Sequence, residues 1–225
     1  MGKVMILPET TKEPITLIGK RAGICWGGNI KDDFINFKRG WDCINSGHGR
    51  TFEYVNIEMV LDGYSARVIR EWYTHLGGAP TRLQESTRYI NYQKGFGYVT
   101  PHSIQSDERA SDTYKKCIEG IISSLQELEK LNIPREDSAM LLPLGMSTRI
   151  VDKRNLRNLM DMSHQRMCSR AYWEFRELFN DICNELSGYS YEWEDIVKNL
   201  FIPKCEVVGY CAEKNSCGRK KKLNR

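Results

Sequence analysis

Residues 153–186 carry polar side chains at a spacing that could do chemistry. Arg157 and Asp161 are four residues apart and share one face of a helix. Asn155 and Arg166 are eleven apart, about three helical turns, and also lie roughly on one side. That side offers amide, guanidinium and carboxylate groups along one line. The alternative interpretation is a solvated helix face with ordinary ion pairs.

A second stretch, TRLQESTRY at residues 81–89, collects hydrogen-bond donors. Ser86, Thr87 and Arg88 bring hydroxyl, backbone N–H and guanidinium groups into one loop, with Arg82 nearby. Such a loop suits a phosphate, because phosphate oxygens accept several directed hydrogen bonds and Arg can bind them in pairs. The alternative is a polar turn with two solvated arginines. The usual phosphate-loop patterns GxxxxGK and GxGxxG are absent from the sequence.

Hydrophobic periodicity predicts the elements that position these residues. Apolar residues recur at three- and four-residue steps over 153–186, which predicts one long helix with a break near Ser163 or Ser169. In that helix Arg170 would follow Arg166 by one turn. Further helices are predicted at 14–26, 31–45, 64–76 with Ser65 as N-cap, 107–131 with Ser106 as N-cap, 134–142 and 191–200. Strands are predicted at 3–7 and 51–61, a polar loop running into a strand at 81–94, and an extended segment at 146–151.

Composition excludes several classes of protein. The chain has 225 residues, 40% of them hydrophobic, which is enough for a real core. The formal net charge is +4, but the last eight residues, GRKKKLNR, hold five basic groups, so the body is close to neutral and does not resemble a nucleic-acid binder. No apolar run approaches the ~20 residues that span a bilayer, and the N-terminus does not resemble a signal peptide. A cytoplasmic protein with no membrane or nucleic-acid partner is expected.

In that compartment the eight cysteines should be thiols or metal ligands rather than disulfides. We expect a single catalytic domain at 1–202 and an irregular, Cys-rich, basic tail at 203–225. Cys205, Cys211 and Cys217 are spaced by six, which is atypical of zinc sites, so scattered thiols are favoured and no metal site is assigned.

Taken together, the two polar stretches resemble the flavin-dependent thymidylate synthases. That family combines Arg-His-Arg and a downstream Ser-x-Arg-Tyr with a helix of the form Asn-x-Arg-Ser-Leu…Arg…Ala-x-Trp-Glu. This sequence has matching segments, and those between residues 155 and 174 have the family's spacing. They are EWYTHL at 71–76 before Ser86-Thr87-Arg88-Tyr89, NLRNL at 155–159, Arg166 and AYWE at 171–174, with TFEY at 51–54 and MLLPL at 140–144 as weaker matches.

The sequence also departs from the family at several positions. Thr74 and Leu76 stand where the family has its two arginines, and only His75 of that motif matches. The loop before Ser86 is two residues longer, so that Arg82 could supply a guanidinium from a new place. Ala139 stands where an Arg normally helps to hold the nucleotide. The chain therefore resembles a divergent branch.

The resemblance implies an α+β fold, a twisted and mainly antiparallel sheet flanked by helices, in a homotetramer with shared active sites. It implies a methyltransferase of nucleotide biosynthesis: an FAD-dependent thymidylate synthase that reductively methylates dUMP to dTMP. Methylenetetrahydrofolate would be the carbon donor and NADPH the reductant, and no Cys nucleophile would be needed. The departures leave a related flavin-dependent pyrimidine-nucleotide methylase or hydroxymethylase as an alternative. A non-enzymatic zinc-dependent binding module is a further alternative.

The resemblance also assigns roles residue by residue. Arg166 is the implied catalytic residue, stabilising negative charge on the uracil ring. The residues implied to bind dUMP are Glu71, Gln84, Ser86, Thr87, Arg88 and Arg166. Those implied to contact FAD are Thr74, His75, Arg82, Asn155, Arg157 and Asp161.

Overall fold

A computed structural model describes residues 2–223 of the chain. Its strands are β1 (Lys3–Ile6), β2 (Asn56–Ser65), β3 (Thr81–Gln84) and β4 (Ser147–Asn155). Among the described residues they form a four-stranded antiparallel sheet in the order β1-β2-β4-β3. Side chains alternate along β2, where Ile57, Met59 and Leu61 are fully buried, as expected for a strand with one face on a core.

Helices supply most of the remaining regular structure between residues 2 and 223. They are α1 (Pro14–Cys25), α2 (Asp33–Asn45), α3 (Ala66–Trp72), α4 (His102–Gln105), α5 (Glu108–Lys130), α6 (Arg135–Ser138), α7 (Leu156–Arg166), α8 (Trp173–Tyr189), α9 (Tyr191–Leu200) and α10 (Lys204–Val208). Short 3-10 helices cover Gly49–Tyr54 and Ala139–Leu141. Every helix in this part of the chain is too short or too polar to cross a lipid bilayer. The mixture of helices with an antiparallel sheet confirms the predicted α+β class.

The chain divides into two compact units, and the division falls inside each of the four described strands. Unit 1 contains the residues up to Lys3, then Leu61–Tyr73 and Leu83–Ile150. Unit 2 contains Val4–Val60, Thr74–Arg82 and the residues from Val151 onward. The assignment of residues 1–202 to one catalytic domain stays a prediction.

In unit 1, the turn that leads into α3 is fixed by its N-cap. The Ser65 hydroxyl accepts a hydrogen bond from the Val68 N–H at 3.2 Å, as predicted, and the Ala66 N–H donates to the Met146 carbonyl at 2.8 Å. The long helix α5 begins one residue later than predicted, because Asp107 caps it in place of Ser106. Its Tyr114 hydroxyl donates to the Val99 carbonyl at 3.1 Å.

In unit 2, the start of α1 is held by the start of α9, which is far away in sequence. The buried Glu192 carboxylate accepts hydrogen bonds from the Ile15 and Thr16 N–H groups at 2.6 and 3.0 Å. A negative charge at this helix N-terminus satisfies donors that have no partner inside the helix. Beside it, the Trp193 indole N–H donates to the Thr11 carbonyl at 2.7 Å. The start of α9 therefore fastens the start of α1.

The long helix predicted over 153–186 is interrupted. Residues up to Asn155 belong to β4, α7 ends at Arg166, and α8 begins only at Trp173, so the predicted break near Ser169 is present. Arg170 lies in the connection between the helices rather than one turn beyond Arg166.

Three further predictions are wrong in detail. The strand predicted at 51–61 starts at Asn56, after a 3-10 turn, and the helix predicted at 64–76 ends at Trp72. Within 81–94 the strand comes before the loop, since β3 is Thr81–Gln84. The described tail contains the helix α10 and a bridge between Cys211 and Lys222, so it is not irregular throughout. Residues 224 and 225 of the predicted tail lie outside the described residues.

Candidate functional site

Arg166, the last residue of α7, is held by two aromatic rings in unit 2. Its Nε–H donates to Nε2 of His75 at 2.9 Å. Its guanidinium carbon lies 4.5 Å from the centroid of the Phe175 ring, within the range of a cation–π interaction. The rings of His75 and Phe175 meet edge to face, with centroids 5.9 Å apart. A planar cation is thereby fixed in one orientation at the end of a helix.

The protonation state of His75 follows from this arrangement. Arg166 can only donate, so Nε2 of His75 must be an unprotonated acceptor. Burial, and then the positive charges of Arg166 and Arg154, lower the pKa of His75 from 6.5 to about 4. His75 is therefore neutral near pH 7, and Arg166 carries the positive charge of the pair.

A fully buried ion pair lies on β4. The alternation of β4 puts Asp152 and Arg154 on its buried face, and neither side chain is exposed to solvent. Arg154 binds Asp152 in bidentate fashion, with N–O distances of 2.6 and 2.7 Å. It also donates to Oδ1 of Asn158 at 2.6 Å. Arg154 therefore connects the strand to α7 through charge-assisted hydrogen bonds.

Two asparagines on α7 face a glycine loop. Oδ1 of Asn155 accepts from the Asn158 N–H at 2.9 Å and caps the helix. A Cβ on Gly78, whose φ is +72°, would overlap the Asn155 side chain, and one on Gly77 would lie 3.0 Å from Nδ2 of Asn158. Both positions need glycine, because the backbone passes directly over the two amides. This contact fixes the residues that follow His75.

The remaining residues predicted to contact FAD also belong to unit 2. Arg157 pairs with Glu53 at 2.6 Å. Asp161 and Thr74 are exposed, and Arg82 is half-buried on β3. All six predicted FAD contacts, together with Arg166, thus fall in one compact unit. Their binding role remains a prediction.

The predicted phosphate loop belongs to unit 1. The Ser86 hydroxyl accepts from the Arg88 N–H at 3.3 Å, and Thr87 is exposed between them. Nε of Arg88 pairs with Glu136 at 2.9 Å. Both side chains of that pair are more than half exposed, so the pair contributes at most ~1 kcal/mol and an anion can compete for the guanidinium.

Gln84 and Glu71 complete the predicted dUMP set within unit 1. Nε2 of Gln84 donates to the Thr148 hydroxyl at 3.2 Å, which fixes its orientation on β3. Glu71 is half-buried in the last turn of α3. The structure therefore divides the predicted dUMP set: Glu71, Gln84, Ser86, Thr87 and Arg88 lie in unit 1 and Arg166 in unit 2.

The family model described as Thymidylate synthase complementing protein matches residues 7–189. The chain belongs to this family. The match covers both predicted motif regions and confirms the resemblance seen in the sequence. Residues 190–225, with the whole of the Cys-rich tail, lie outside the matched segment.

Similar proteins of this family come from archaea and bacteria. The chain is 30% identical over 174 residues to a Flavin-dependent thymidylate synthase of Pyrococcus abyssi, covering 75% of this chain and 69% of that protein. It is 26% identical over 255 aligned positions to a Flavin-dependent thymidylate synthase of Clostridium tetani, covering 100% of this chain and 97% of that protein. At these identities the chain is a divergent family member.

Solved structures of similar fold include two nucleotide methylases. The Thymidylate Synthase X of Helicobacter pylori, solved with FAD and dUMP, aligns with a TM-score of 0.70 at 19% identity, over 88% of this chain and 100% of that chain. The UMP/dUMP methylase PolB of Streptomyces cacaoi, bound with 5-Br dUMP, aligns with a TM-score of 0.74 at 15% identity, over 90% and 97%. These likenesses concern the fold.

Sequence reasoning missed three contributors to the site. Phe175 has the spacing of an ordinary core residue, and nothing in the sequence marks it as the partner of Arg166. Arg154 was assigned to a helix, where it would have no reason to be buried. Gly77 and Gly78 follow the predicted helix, and a glycine pair two residues after His75 is a signal for a close backbone approach.

Metal binding finds no support in the structure. Between residues 2 and 223, no three His, Cys, Asp or Glu side chains are arranged to hold a metal ion. The positions of Cys205, Cys211 and Cys217 therefore do not support the alternative of a zinc-dependent binding module.

Proposed function

We propose that the protein is an FAD-dependent thymidylate synthase that converts dUMP to dTMP. Methylenetetrahydrofolate would be the carbon donor and NADPH the reductant. Relatives in Pyrococcus abyssi and Clostridium tetani carry the name flavin-dependent thymidylate synthase. The observation that supports the proposal most directly is the fixed guanidinium of Arg166, oriented by neutral His75 and the Phe175 ring.

Arg166 provides the electrostatics that the reaction needs. Methylation at C5 of uracil requires electron density on that carbon, and negative charge develops on the C4 carbonyl and N3 edge. A planar donor already held in place stabilises that charge without reorganising during the reaction. A neutral His75 helps, because it orients the guanidinium without adding a second positive charge. No thiol is needed in this scheme.

The residues of unit 2 suit FAD chemically. Its diphosphate accepts hydrogen bonds from guanidinium and hydroxyl groups, such as those of Arg157, Arg82 and Thr74. The glycine pair lets the backbone pass close to the Asn155 amide, as a side chain there could not. When bound, FAD supplies the hydride transfer, while the protein binds, orients and excludes water. Thr74 and Leu76 replace two cations of the family motif, so we expect FAD affinity to be modest.

Ser86, Thr87 and Arg88 would hold the dUMP phosphate. The loop presents hydroxyl and backbone donors, and the exposed pair with Glu136 can be exchanged for a phosphate at little cost. Gln84, oriented by Thr148, would donate to the nucleotide. Glu71 would accept from a ribose or base donor. The residues proposed to bind dUMP and those proposed to bind FAD would meet in a homotetramer with active sites shared between subunits. The protein would be located in the cytoplasm.

A changed pyrimidine substrate is the second candidate. Ala139 replaces the expected Arg, and Arg135 lies one turn earlier, beside a cavity of about 10 Å³ in unit 1 that admits no more than a water molecule. Arg135 is the guanidinium that would take over the contact with the nucleotide. A nucleotide with a different sugar or phosphate position would suit such an exchange. Comparing dUMP with UMP in the same assay distinguishes the two substrates.

The proposal is tested by release of tritium from 5-tritiated dUMP. The FAD-loaded protein should release tritium in the presence of methylenetetrahydrofolate and NADPH. Arg166→Ala should lose ~10²–10³ in kcat while keeping FAD, because the lost donor acts mainly in the transition state. Arg166→Lys should recover only part of the rate, since an ammonium cannot copy the planar fork.

Arg109→Ala is the matched control, because Arg109 is an exposed arginine on α5. It should release tritium at the unmodified rate. No tritium release by the FAD-loaded protein from either nucleotide would refute the function. Near-normal turnover of a folded, FAD-loaded Arg166→Ala would refute the role of Arg166 and leave the function standing.

A further inference from the structure

A cavity of about 470 Å³ lies in unit 2, and none of the residues proposed to bind FAD or dUMP lines it. One wall is formed by the end of α7 and the connection to α8, from His164 to Arg170. The other is formed by residues 203–220. That second wall lies wholly outside the segment matched by the family model, which ends at residue 189. The cavity is therefore a feature of this chain's own tail, and it is large enough for a small organic ligand.

Thiols dominate the chemistry of this cavity. Among the described residues, four of the eight cysteines of the chain line it: Cys168, Cys205, Cys211 and Cys217. All four are free thiols. Cys217 is exposed, Cys168 and Cys205 are half-buried, and Cys211 is buried. One thiol of the cavity is thus reachable from solvent, and three less exposed thiols line the same cavity.

The surroundings of Cys217 favour the thiolate. A hydrogen bond with the Ser169 hydroxyl, the backbone near Arg219 and the charge of Arg219 lower the pKa of the Cys217 thiol. Reactive cysteines are found in such partly exposed, electropositive surroundings. Because Cys168 directly precedes Ser169 in the chain, a second thiol is placed next to the group that contacts Cys217.

The charge of the cavity favours an anionic reagent. Arg170, Lys204, Arg219 and Lys220 line it, against Glu213 as the acidic lining residue in the described part of the chain. Arg170 pairs with Glu213 at 3.2 Å and Lys220 with Glu206 at 2.7 Å. These pairs leave the positive charges of Lys204 and Arg219 in excess. An anion entering the cavity therefore meets a positive field beside the reactive thiol.

We propose that this cavity is a thiol–disulfide exchange site for small anionic disulfides, with Cys217 as the attacking thiol and Cys168 as the resolving thiol. The site goes beyond the methylation chemistry and does not depend on it, because neither thiol has a role in that reaction.

The exchange balances in two steps. The Cys217 thiolate attacks one sulfur of the disulfide RSSR, the S–S bond breaks, and RS⁻ leaves. The Cys168 thiol then loses its proton to solvent and attacks the Cys217 sulfur, which releases a second RS⁻ and forms the Cys168–Cys217 disulfide. Two protein thiols are oxidised, and one RSSR is reduced to two thiols.

The test uses 5,5′-dithiobis(2-nitrobenzoate), a doubly anionic disulfide, on the reduced full-length protein. We expect a fast phase that releases two nitrothiobenzoate ions per chain, and a Cys168–Cys217 disulfide in the peptide mass map. Cys217→Ser should abolish the fast phase. Cys168→Ser should stop it at one equivalent, leaving a mixed disulfide on Cys217. Cys117→Ser removes an exposed thiol of unit 1, and it should leave the fast phase intact.

Two further measurements separate the cavity from simple exposure. Ser169→Ala should slow the fast phase about tenfold, because the thiolate loses its hydrogen-bond donor. Raising salt from ~0.01 to ~1 M should slow the anionic reagent, since the screening length falls from about 30 to 3 Å, and should leave neutral 4,4′-dithiodipyridine nearly unaffected. A fast phase that survives in Cys217→Ser, or equal salt dependence for both reagents, would overturn the proposal.

Discussion

Replacing Asp152 by Asn should destabilise the protein strongly, because it leaves a buried charge without its counter-ion. Asp152 and Arg154 are both 0% exposed, and two hydrogen bonds of 2.6 and 2.7 Å join them. Removing one partner of a buried pair typically costs 3–5 kcal/mol, far more than the pair itself contributes. Asn keeps the shape and one acceptor oxygen, so we expect the lower end, about 3 kcal/mol. For a chain of this length that corresponds to a melting temperature lower by roughly 6–12 °C.

The chain offers a matched control at its surface. Asp62 pairs with Arg149 at 2.6 Å, but the side chains of Asp62 and Arg149 are 41% and 56% exposed. The same exchange, Asp62→Asn, should cost less than ~1 kcal/mol, because solvent screens the pair and rehydrates the remaining charge. Melting followed by circular dichroism on both variants measures the difference, which isolates burial as the cause.

A double variant tests the explanation rather than the size of the effect. Asp152→Leu with Arg154→Met removes both charges and fills the same space with apolar groups. It should be more stable than Asp152→Asn, since neither charge of the pair remains. Similar melting temperatures for Asp152→Asn and Asp62→Asn, or a double variant less stable than Asp152→Asn, would show that burial of an unpaired charge does not set the stability.

Two further predictions concern the residues around Arg166. Because His75 binds a proton only near pH 4 when folded but near 6.5 when unfolded, its contribution to stability is complete above pH 6.5 and is lost as the pH falls toward 4. The free energy of unfolding, measured by denaturant titration, should therefore vary less over that range in His75→Asn, whereas His48→Asn at the surface should keep the original slope. Gly78→Ala should weaken FAD binding in fluorescence titration and cost ~1–3 kcal/mol beyond the backbone term, because its Cβ would overlap Asn155. Gly47 has a similar φ of +69° but nothing within 4 Å of its added Cβ, so Gly47→Ala should show only the backbone cost of about 1 kcal/mol. Equal losses of stability in the two variants would show that the contact with Asn155 is not the cause.

The sequence predicted the site motifs better than the elements that carry them. Asn155 and Arg166 were assigned to one helix face by their spacing, and α7 does run between them. The extension of that helix back to residue 153 was wrong, because a period of 3.6 and a period of 2 cannot be told apart over so few residues. The alternating burial of Asp152 and Arg154 marks this segment as a strand, but two charged residues give no hydrophobic pattern from which the strand could be predicted.

Packing partners were harder to predict than ligand-facing groups. Phe175 occupies a core position by every pattern rule, yet its ring also holds the guanidinium of Arg166. This second role of Phe175 can be recognised only when the path of the chain between α7 and α8 is known. The cavity of the tail was missed for the same reason, since Cys168 is 37 residues before Cys205 in sequence and reaches it only through the turn after α7.

The contacts of Glu192 and Trp193 limit where the chain can be truncated without losing the interactions that hold α1. The segment recognisable as the family ends at residue 189, three residues before the carboxylate that holds the first turn of α1. A shortened chain that kept every recognisable family residue would expose the N–H groups of Ile15 and Thr16 and lose the anchor of Thr11. The segment matched by the family model is thus shorter than the segment needed to hold α1, because residues 192 and 193 lie beyond it.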